Sequence, residues 1–176
     1  TLGRKSVAFF HADTPVGAQH VANVRLIANE LGLELRTLLP FGADAGDAQI
    51  DAMVATLRRD APDMIFNHGS AGLYQKLVAQ MKAAGLGTVA MGVNSGSSQI
   101  ARGLGPLAQG MVFSQVVPSP WERKRALTRE YQDAMRRFAP QSELSYGSLE
   151  GFMTAKALLA GLEGSPDKTQ QETRAR

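Results

Sequence analysis

The residues in this sequence that could do chemistry are few, and they sit at the ends of apolar runs. His11 and Asp13 stand in HADTPVG, Asn67, His68 and Ser70 in NHGSAG, Asn94 and Ser95 in GVNSGSS, and Gln115 follows the run GMVFS. Ser70, His68 and Asp13 supply the residue types of a serine hydrolase, but G-x-S-x-G is absent and no spacing aligns the three. His11, His68 and Asp13 could approach a metal across two loops. Histidines at strand ends more often hydrogen-bond backbone or ligand, and a third strong ligand is missing, so no metal is expected. His20 falls inside a helical pattern and reads as structural. No G-x-x-x-x-G-K-[ST] occurs, and GLGPLAQG neither fits G-x-G-x-x-G nor follows a strand directly, so no nucleotide cofactor is implied. The sequence has no cysteine, which removes disulfides, thiolate metal sites and cysteine nucleophiles together. What remains is a set of hydroxyls, amides, imidazoles and glycines with one carboxylate. That mixture suits hydrogen-bonding a small ligand through side chains and exposed backbone amides, and no enzyme activity is expected.

The elements that must position these groups follow a repeated plan. Val7 to Phe10 is an apolar run suited to a strand buried on both faces, ended before Pro15. Val21, Val24, Ile27 and Leu31 then recur at helical spacing, with Gly32 placed to stop the helix. Leu33 to Leu39 alternates apolar with polar, as expected of an edge strand, and Asp47 is placed to cap a helix with the stripe Ile50, Met53, Val54 and Leu57. Met64 to Phe66 is a short third strand, NHGS a turn, and Ser70 a cap for a helix carrying Leu73, Leu77, Val78 and Met81 up to Gly85. Thr88 to Met91 and Gly110 to Ser114 supply two more strands. The glycine-rich SQIARGLGPLAQ between them predicts only one or two irregular turns. Strands and helices in strict alternation with short links predict an α/β fold, a doubly wound parallel sheet in the order 2-1-3-4-5. Open sheets of this kind bind ligands at the carboxyl ends of their strands, which is where the polar loops lie.

Beyond Gln115 the rhythm changes. VVPSPW holds two prolines in three residues and reads as a crossing segment. Two amphipathic helices follow, one on Leu127, Tyr131, Met135 and Phe138 and one from Ser145 to Leu162 with Leu149, Phe152, Met153 and Leu159 apolar. Neither has a sheet of its own to cover. The closing GSPDKTQQETRAR lacks large apolar residues and predicts a flexible tail.

At 176 residues, 44% hydrophobic and 20% charged, the chain can bury one substantial core. A formal charge of +3 spread along the chain does not imply nucleic acid, and no stretch approaches the roughly 20 apolar residues that span a bilayer. TLGRKS is neither a signal peptide nor a start methionine, and reads as a cut within a longer chain.

The order GRKSVAFFHADTPVG, APDMIF, KAAGLGTVAMGVNSG, GMVFSQVVPSPW, REYQDAM and SYGSLEGFMTAKAL resembles the type I periplasmic solute-binding proteins of ABC transporters, the leucine/isoleucine/valine-binding group, over Thr1 to Glu163. That resemblance implies two α/β lobes joined by three crossings and closing on a ligand between them. It implies that 1–115 is the second lobe, 116–120 a crossing, 121–163 helices that return to a first lobe whose sheet is absent, and 164–176 a tail. It further implies a periplasmic location, a small amino acid or organic or aromatic acid as ligand, a membrane permease as partner, and no nucleic acid. The unburied stripes on the last two helices add self-association of the chain.

Site residues carry over position by position. Relatives that bind amino acids place an aromatic just before the glycine of the first loop, where this sequence has Val16. After the third strand they use an aromatic or hydroxyl residue, matching Ser70 and Ala71. In the fourth loop an acid pairs with the ligand ammonium, and its counterpart is Asn94, which can hydrogen-bond an ammonium but not neutralise it. With His11, Asp13, Asn67, His68, Ser95 and Gln115 these form the expected ligand site. Two other readings share the fold. A ligand-sensing domain of a transcription regulator would need an upstream helix-turn-helix, and a doubly wound enzyme domain a nucleophile or cofactor motif; neither lies within these residues.

Overall fold

The structure is a computed structural model and describes residues 3–93 and 97–163. The chain divides between Ser114 and Gln115 into two compact units. The first runs β1 (Ser6–Ala12), α1 (Pro15–Glu30), β2 (Glu34–Phe41), α2 (Asp47–Asp60), β3 (Met64–His68), α3 (Ala71–Ala83), β4 (Val89–Gly92), α4 (Ser97–Leu104), a 3-10 turn (Gly105–Ala108) and β5 (Val112–Phe113). Its five strands pair in parallel in the order β2-β1-β3-β4-β5, the doubly wound topology expected from the alternation.

Successive residues of a strand point to opposite faces, so the sheet has two interiors. On one face Ala8 and Phe10 of β1, Ile65 of β3 and Ala90 of β4 pack against Ile50, Met53 and Leu57 of α2 and Tyr74, Leu77 and Met81 of α3. Phe10 stacks on Phe41 with ring centroids 4.5 Å apart, and full burial of such a ring contributes about 2–3 kcal/mol. The Tyr74 hydroxyl donates to the Met91 carbonyl at 2.8 Å with the Ile65 carbonyl at 3.1 Å, stitching β3 to β4 from beneath. Burial pushes that phenol well above its ordinary range. On the other face Phe9 stacks between His11 and Phe66, and α1 packs over β1 and β2.

Several boundaries and faces differ from the sequence reading. β3 continues through Asn67 and His68, which pair with Phe10 and His11 of β1, because the neighbouring long strand offers them ladder partners. β2 runs on through Pro40, a residue a sheet tolerates at an edge, where β2 lies. Asp47 is the first helical residue of α2 and Gly46 its cap. The stretch after residue 96 forms a full two-turn helix, α4, with Ile100 and Leu104 buried, where only irregular turns were expected. β5 shrinks to Val112–Phe113 and β4 ends on Gly92.

The largest revision concerns α1. Its expected inward stripe included Ile27 and Leu31, yet these are 53% and 66% exposed, while Gly17 and Ala28 are buried and Val21 and Val24 half-buried. The cause lies at the helix start. A Cβ on Gly17 would stand 1.8 Å from the Ala12 carbonyl oxygen, so the helix can approach β1 this closely only on its small side. It rolls onto the line Gly17, Val21, Val24 and Ala28, and the larger side chains turn outward.

The second unit carries α5 (Ala126–Phe138) and α6 (Tyr146–Glu163). Tyr131 is its hub: the ring is buried edge-on against Phe152, and the hydroxyl meets Ser148 Oγ at 2.5 Å. Ser145 Oγ accepts from the Ser148 amide at 3.1 Å and so caps the start of α6. Phe138, expected on the inner stripe of α5, is 75% exposed, and the Arg137 guanidinium lies over its ring. Asn94, Ser95 and the tail 164–176 lie outside the described residues. No helix among the described residues is long and apolar enough to cross a membrane.

Candidate functional site

The two edges of the sheet are built differently. At the edge where strands begin, charges are fastened to backbone and to each other. The Asp63 carboxylate accepts from the Lys5 and Ser6 amides and from Ser6 Oγ, all at 2.9 Å. These bonds hold its carboxyl below the usual carboxylate range. Arg36 makes a two-pronged pair with Glu34 at 3.0 and 2.6 Å, and Thr37 Oγ1 donates to Asp60 at 2.8 Å while Arg59 pairs with the same carboxylate. Glu34 and Asp60 are thereby also held below their ordinary range.

At the opposite edge, where the strands end, Asp13, His68 and Ser70 are exposed, His11 and Asn67 are buried, and Asp47 at the start of α2 pairs with Lys76 at 3.0 Å. The β1–α1 loop is anchored by the Asp13 amide, which donates to the Phe41 carbonyl at 2.8 Å. Thr14 caps α1, its Oγ1 accepting from the Gly17 amide at 3.0 Å, and Pro15 fills the first helical position, where no amide donor is needed. Ser70 does the same for α3, accepting from the Leu73 amide at 3.3 Å. Between them lies Gly69. A Cβ there would meet the Phe41 ring at 2.6 Å, so only glycine lets the β3–α3 loop settle beside the β1–α1 loop. Beyond β4 the chain reaches Val93, and the Ser114 amide after β5 donates to the Gly92 carbonyl at 3.0 Å, closing the row of strand ends.

The starts of α1, α3 and α4 therefore lie at this one edge. The positive ends of the helix dipoles there favour an anionic group. Among the described site residues the one carboxylate is Asp13, which is exposed. The expected residues divide among these positions. Asp13 and Val16 are exposed on the first loop and the first turn of α1, with Val16 at 65%. His68, Gly69 and Ser70 are exposed at the end of β3, and Ala71 and Gly72 begin α3. Gln115 opens the second unit.

His11 and Asn67 are buried at 7% and 3% exposure. The His11 Nδ1–H donates to the Ala12 carbonyl at 3.0 Å, which leaves Nε2 as an acceptor in the neutral ring. Neither that Nε2 nor Asn67 Oδ1 has a hydrogen-bond partner. They lie on opposite faces of the sheet, His11 with Phe9 on the α1 side and Asn67 with Phe10 and Ile65 on the α2 and α3 side, so each would need its own N–H or O–H donor.

His20, read from sequence as structural, stacks on His68 with ring centroids 3.7 Å apart. It ties the second turn of α1 to the end of β3 and so holds the two loops together. No local signal in the sequence marks this pairing, because it depends on how α1 lies across the sheet. Among the described residues no group of three or more histidines and carboxylates could hold a metal ion.

A family model described as periplasmic binding protein matches residues 1–176. No curated protein matches. Among solved structures, the chain is similar to an extracellular ligand-binding receptor from Verminephrobacter eiseniae, at 21% identity and a TM-score of 0.77, over 95% of this chain and 48% of that one. It is also similar to a possible leucine/isoleucine/valine-binding protein from Rhodopirellula baltica, at 25% identity and a TM-score of 0.76, over 94% and 46%. A third likeness is to a fatty acid ABC transporter substrate-binding protein from Thermomonospora curvata, at 18% identity and a TM-score of 0.69, over 87% and 39%. The chain thus spans less than half the length of each.

Proposed function

The chain belongs to the type I periplasmic binding protein family, and from that premise we propose that its first unit forms one wall of a solute-binding cleft. The observation that carries the proposal is the asymmetry of the sheet. Its strand-start edge fastens its carboxylates to backbone amides and arginines around shallow depressions, whereas its strand-end edge gathers helix starts, glycine loops and, on each face of the sheet, a buried acceptor without a partner.

In this reading 1–115 is the second lobe, 116–120 a crossing, and 121–163 helices that cover the sheet of a first lobe. The ligand is a small amino acid or organic acid. Its carboxylate lies toward the starts of α1 and α3, and His11, Asp13, Val16, Asn67, His68, Ser70, Ala71, Asn94, Ser95 and Gln115 surround it. Two of the similar structures are named for leucine, isoleucine and valine and for a fatty acid, ligands that share a carboxylate and differ in the ammonium. The partner is the membrane permease of an ABC transporter, the location extracytoplasmic, and the role non-catalytic. Closure is driven by ligand contacts to both lobes, which exist together only in the closed form.

Calorimetry tests this. A two-lobe site with a Kd near 1 µM holds about 8 kcal/mol, so one wall with half the contacts binds at about 1 mM. Millimolar binding of an amino acid or organic acid is expected. Micromolar binding by the 176-residue chain would show a complete site and overturn the half-cleft reading.

A further inference from the structure

The three histidines of the sequence meet at one place. His11 and His68 are partners in the ladder between β1 and β3, so their side chains stand side by side on the α1 face of the sheet. His20, on the second turn of α1, stacks on His68 with ring centroids 3.7 Å apart and planes 36° from parallel. Exposure grows along the row. His11 is buried with its Nδ1–H donated to the Ala12 carbonyl, His20 is half-buried, and His68 is exposed at the strand-end edge.

No acid answers these rings. Among the described residues neither they nor Asp13, on the β1–α1 loop, take part in an ion pair. The first turns of α1 and α3 contain no acidic residue, and β4 has no titratable side chain. The other charges of α1, Arg25 and Glu30, lie more than one turn beyond His20. Asp47, at the start of α2, is already paired with Lys76 of α3.

Imidazoles ordinarily titrate at about 6.5, within reach of a neighbouring charge at neutral pH. A carboxylate brought beside one favours its charged form and is held by a charge-assisted hydrogen bond. The stack limits the gain to one proton. Two imidazolium rings 3.7 Å apart repel, whereas one charged ring lies over the π face of its neutral neighbour. Proton and carboxylate therefore each raise the affinity of the pair for the other.

Resting on the reading of the strand-end edge as the ligand wall, we propose that the His20–His68 pair is the contact by which this wall selects a carboxylate. The pair takes up one proton from solvent as an anionic ligand binds, so capture tightens as pH falls through the neutral range. It supplies a full positive charge where the helix starts offer only partial ones and Asp13 has the wrong sign.

NMR of the 176-residue chain reads both partners at once. The chain is titrated with 3-methylbutanoate, a carboxylate without an ammonium, at about pH 8, 7 and 6, where the probe stays ionised. Amide shifts give the affinity, and the ring Hε1 signals of only three histidines report the proton. Affinity should rise about threefold or more from pH 8 to pH 6, within the limit of about tenfold per pH unit set by one linked proton. The titration midpoints of His20 and His68 should move up under saturating probe. In the double variant His20→Phe, His68→Phe, which keeps the ring contact, the shifts should stay at the same edge and the affinity lose its pH dependence. Where that variant fails to fold, the histidine signals of the unaltered chain decide. Saturable shifts on residues 11–17 and 67–72 with an affinity flat in pH and both midpoints unmoved overturn the proposal and leave the ligand wall standing. A pH dependence that survives in the double variant overturns it too, by assigning the proton elsewhere. So does the absence of any saturable shift at pH 6; the neutral analogue 3-methylbutanamide then judges the wall by itself. Shifts centred on Arg4, Lys5 and Asp63 overturn the wall and the carboxylate contact together.

Discussion

Gly17 is the position where the smallest change should have a large effect. Replacing it with alanine places a Cβ 1.8 Å from the Ala12 carbonyl oxygen and 2.9 Å from its carbon, where ordinary contact begins at 3.4 Å. The obstacle is backbone, so no side-chain rotation relieves it. Either α1 lifts from β1, exposing part of the Phe9 and Ala28 packing, or the β1–α1 loop rearranges and loses the Thr14 cap. Overpacking of this kind costs about 1–3 kcal/mol, and a lost cap about 1 kcal/mol more. We expect Gly17→Ala to destabilise the chain by about 3 kcal/mol, read as a shift of the urea midpoint and as a fall in Tm of about 6–12 °C. Gly72→Ala is the control. It lies in the first turn of α3 with nothing within 4 Å, and there alanine should be neutral or stabilise by up to about 1 kcal/mol. If Gly17→Ala unfolds within about 0.5 kcal/mol of the unaltered chain, the close approach of α1 to β1 is wrong, and with it the explanation for the exposed Ile27 and Leu31.

Two further outcomes follow from the polar fastenings. Tyr74→Phe leaves the Met91 carbonyl without its donor in the buried core, and should cost about 1–2 kcal/mol by urea unfolding with an unchanged m-value. Glu34, Asp60 and Asp63 have carboxyls held below the ordinary range, so each contributes stability that is present above the unfolded value near 4 and is lost as pH falls through the lower folded value. Urea midpoints should therefore hold steady from about pH 7 to 5 and decline below about pH 4. Asp63→Asn should lower the midpoint at neutral pH and flatten the acid decline; an acid limb unchanged in that variant would remove Asp63 from the account.

The strand order was legible because each apolar run is short, bounded by glycine, proline or charge, and followed by a one-sided helix. Ser70 was legible as a cap because a hydroxyl directly precedes a helical stripe, and the bond to Leu73 forms as that position requires. What sequence could not convey was the roll of α1, since its stripe fits either orientation until Gly17 meets the Ala12 carbonyl. The same roll brings His20 over His68, residues with no local relation. Asn67 and His68 read as a turn because they are polar, yet a neighbouring strand with free ladder partners extends β3 through both. α4 was missed because its glycines suggested a loop, whereas Ile100 and Leu104 bury on one side and hold it as a helix. The site's location followed from a rule about open sheets; which side chains are buried acceptors and which are exposed depended on the faces and could be read only from the fold.

Amide NMR of the 176-residue chain, titrated with amino acids and organic acids to millimolar concentration, decides whether the strand-end edge is the ligand wall. Shifts should gather on residues 11–17, 67–72, 92–97 and 114–115, with Arg4, Lys5, Asp63 and Gly87 at the opposite edge unmoved. Shifts centred on that opposite edge, or spread evenly with no saturation for any ligand, would contradict it.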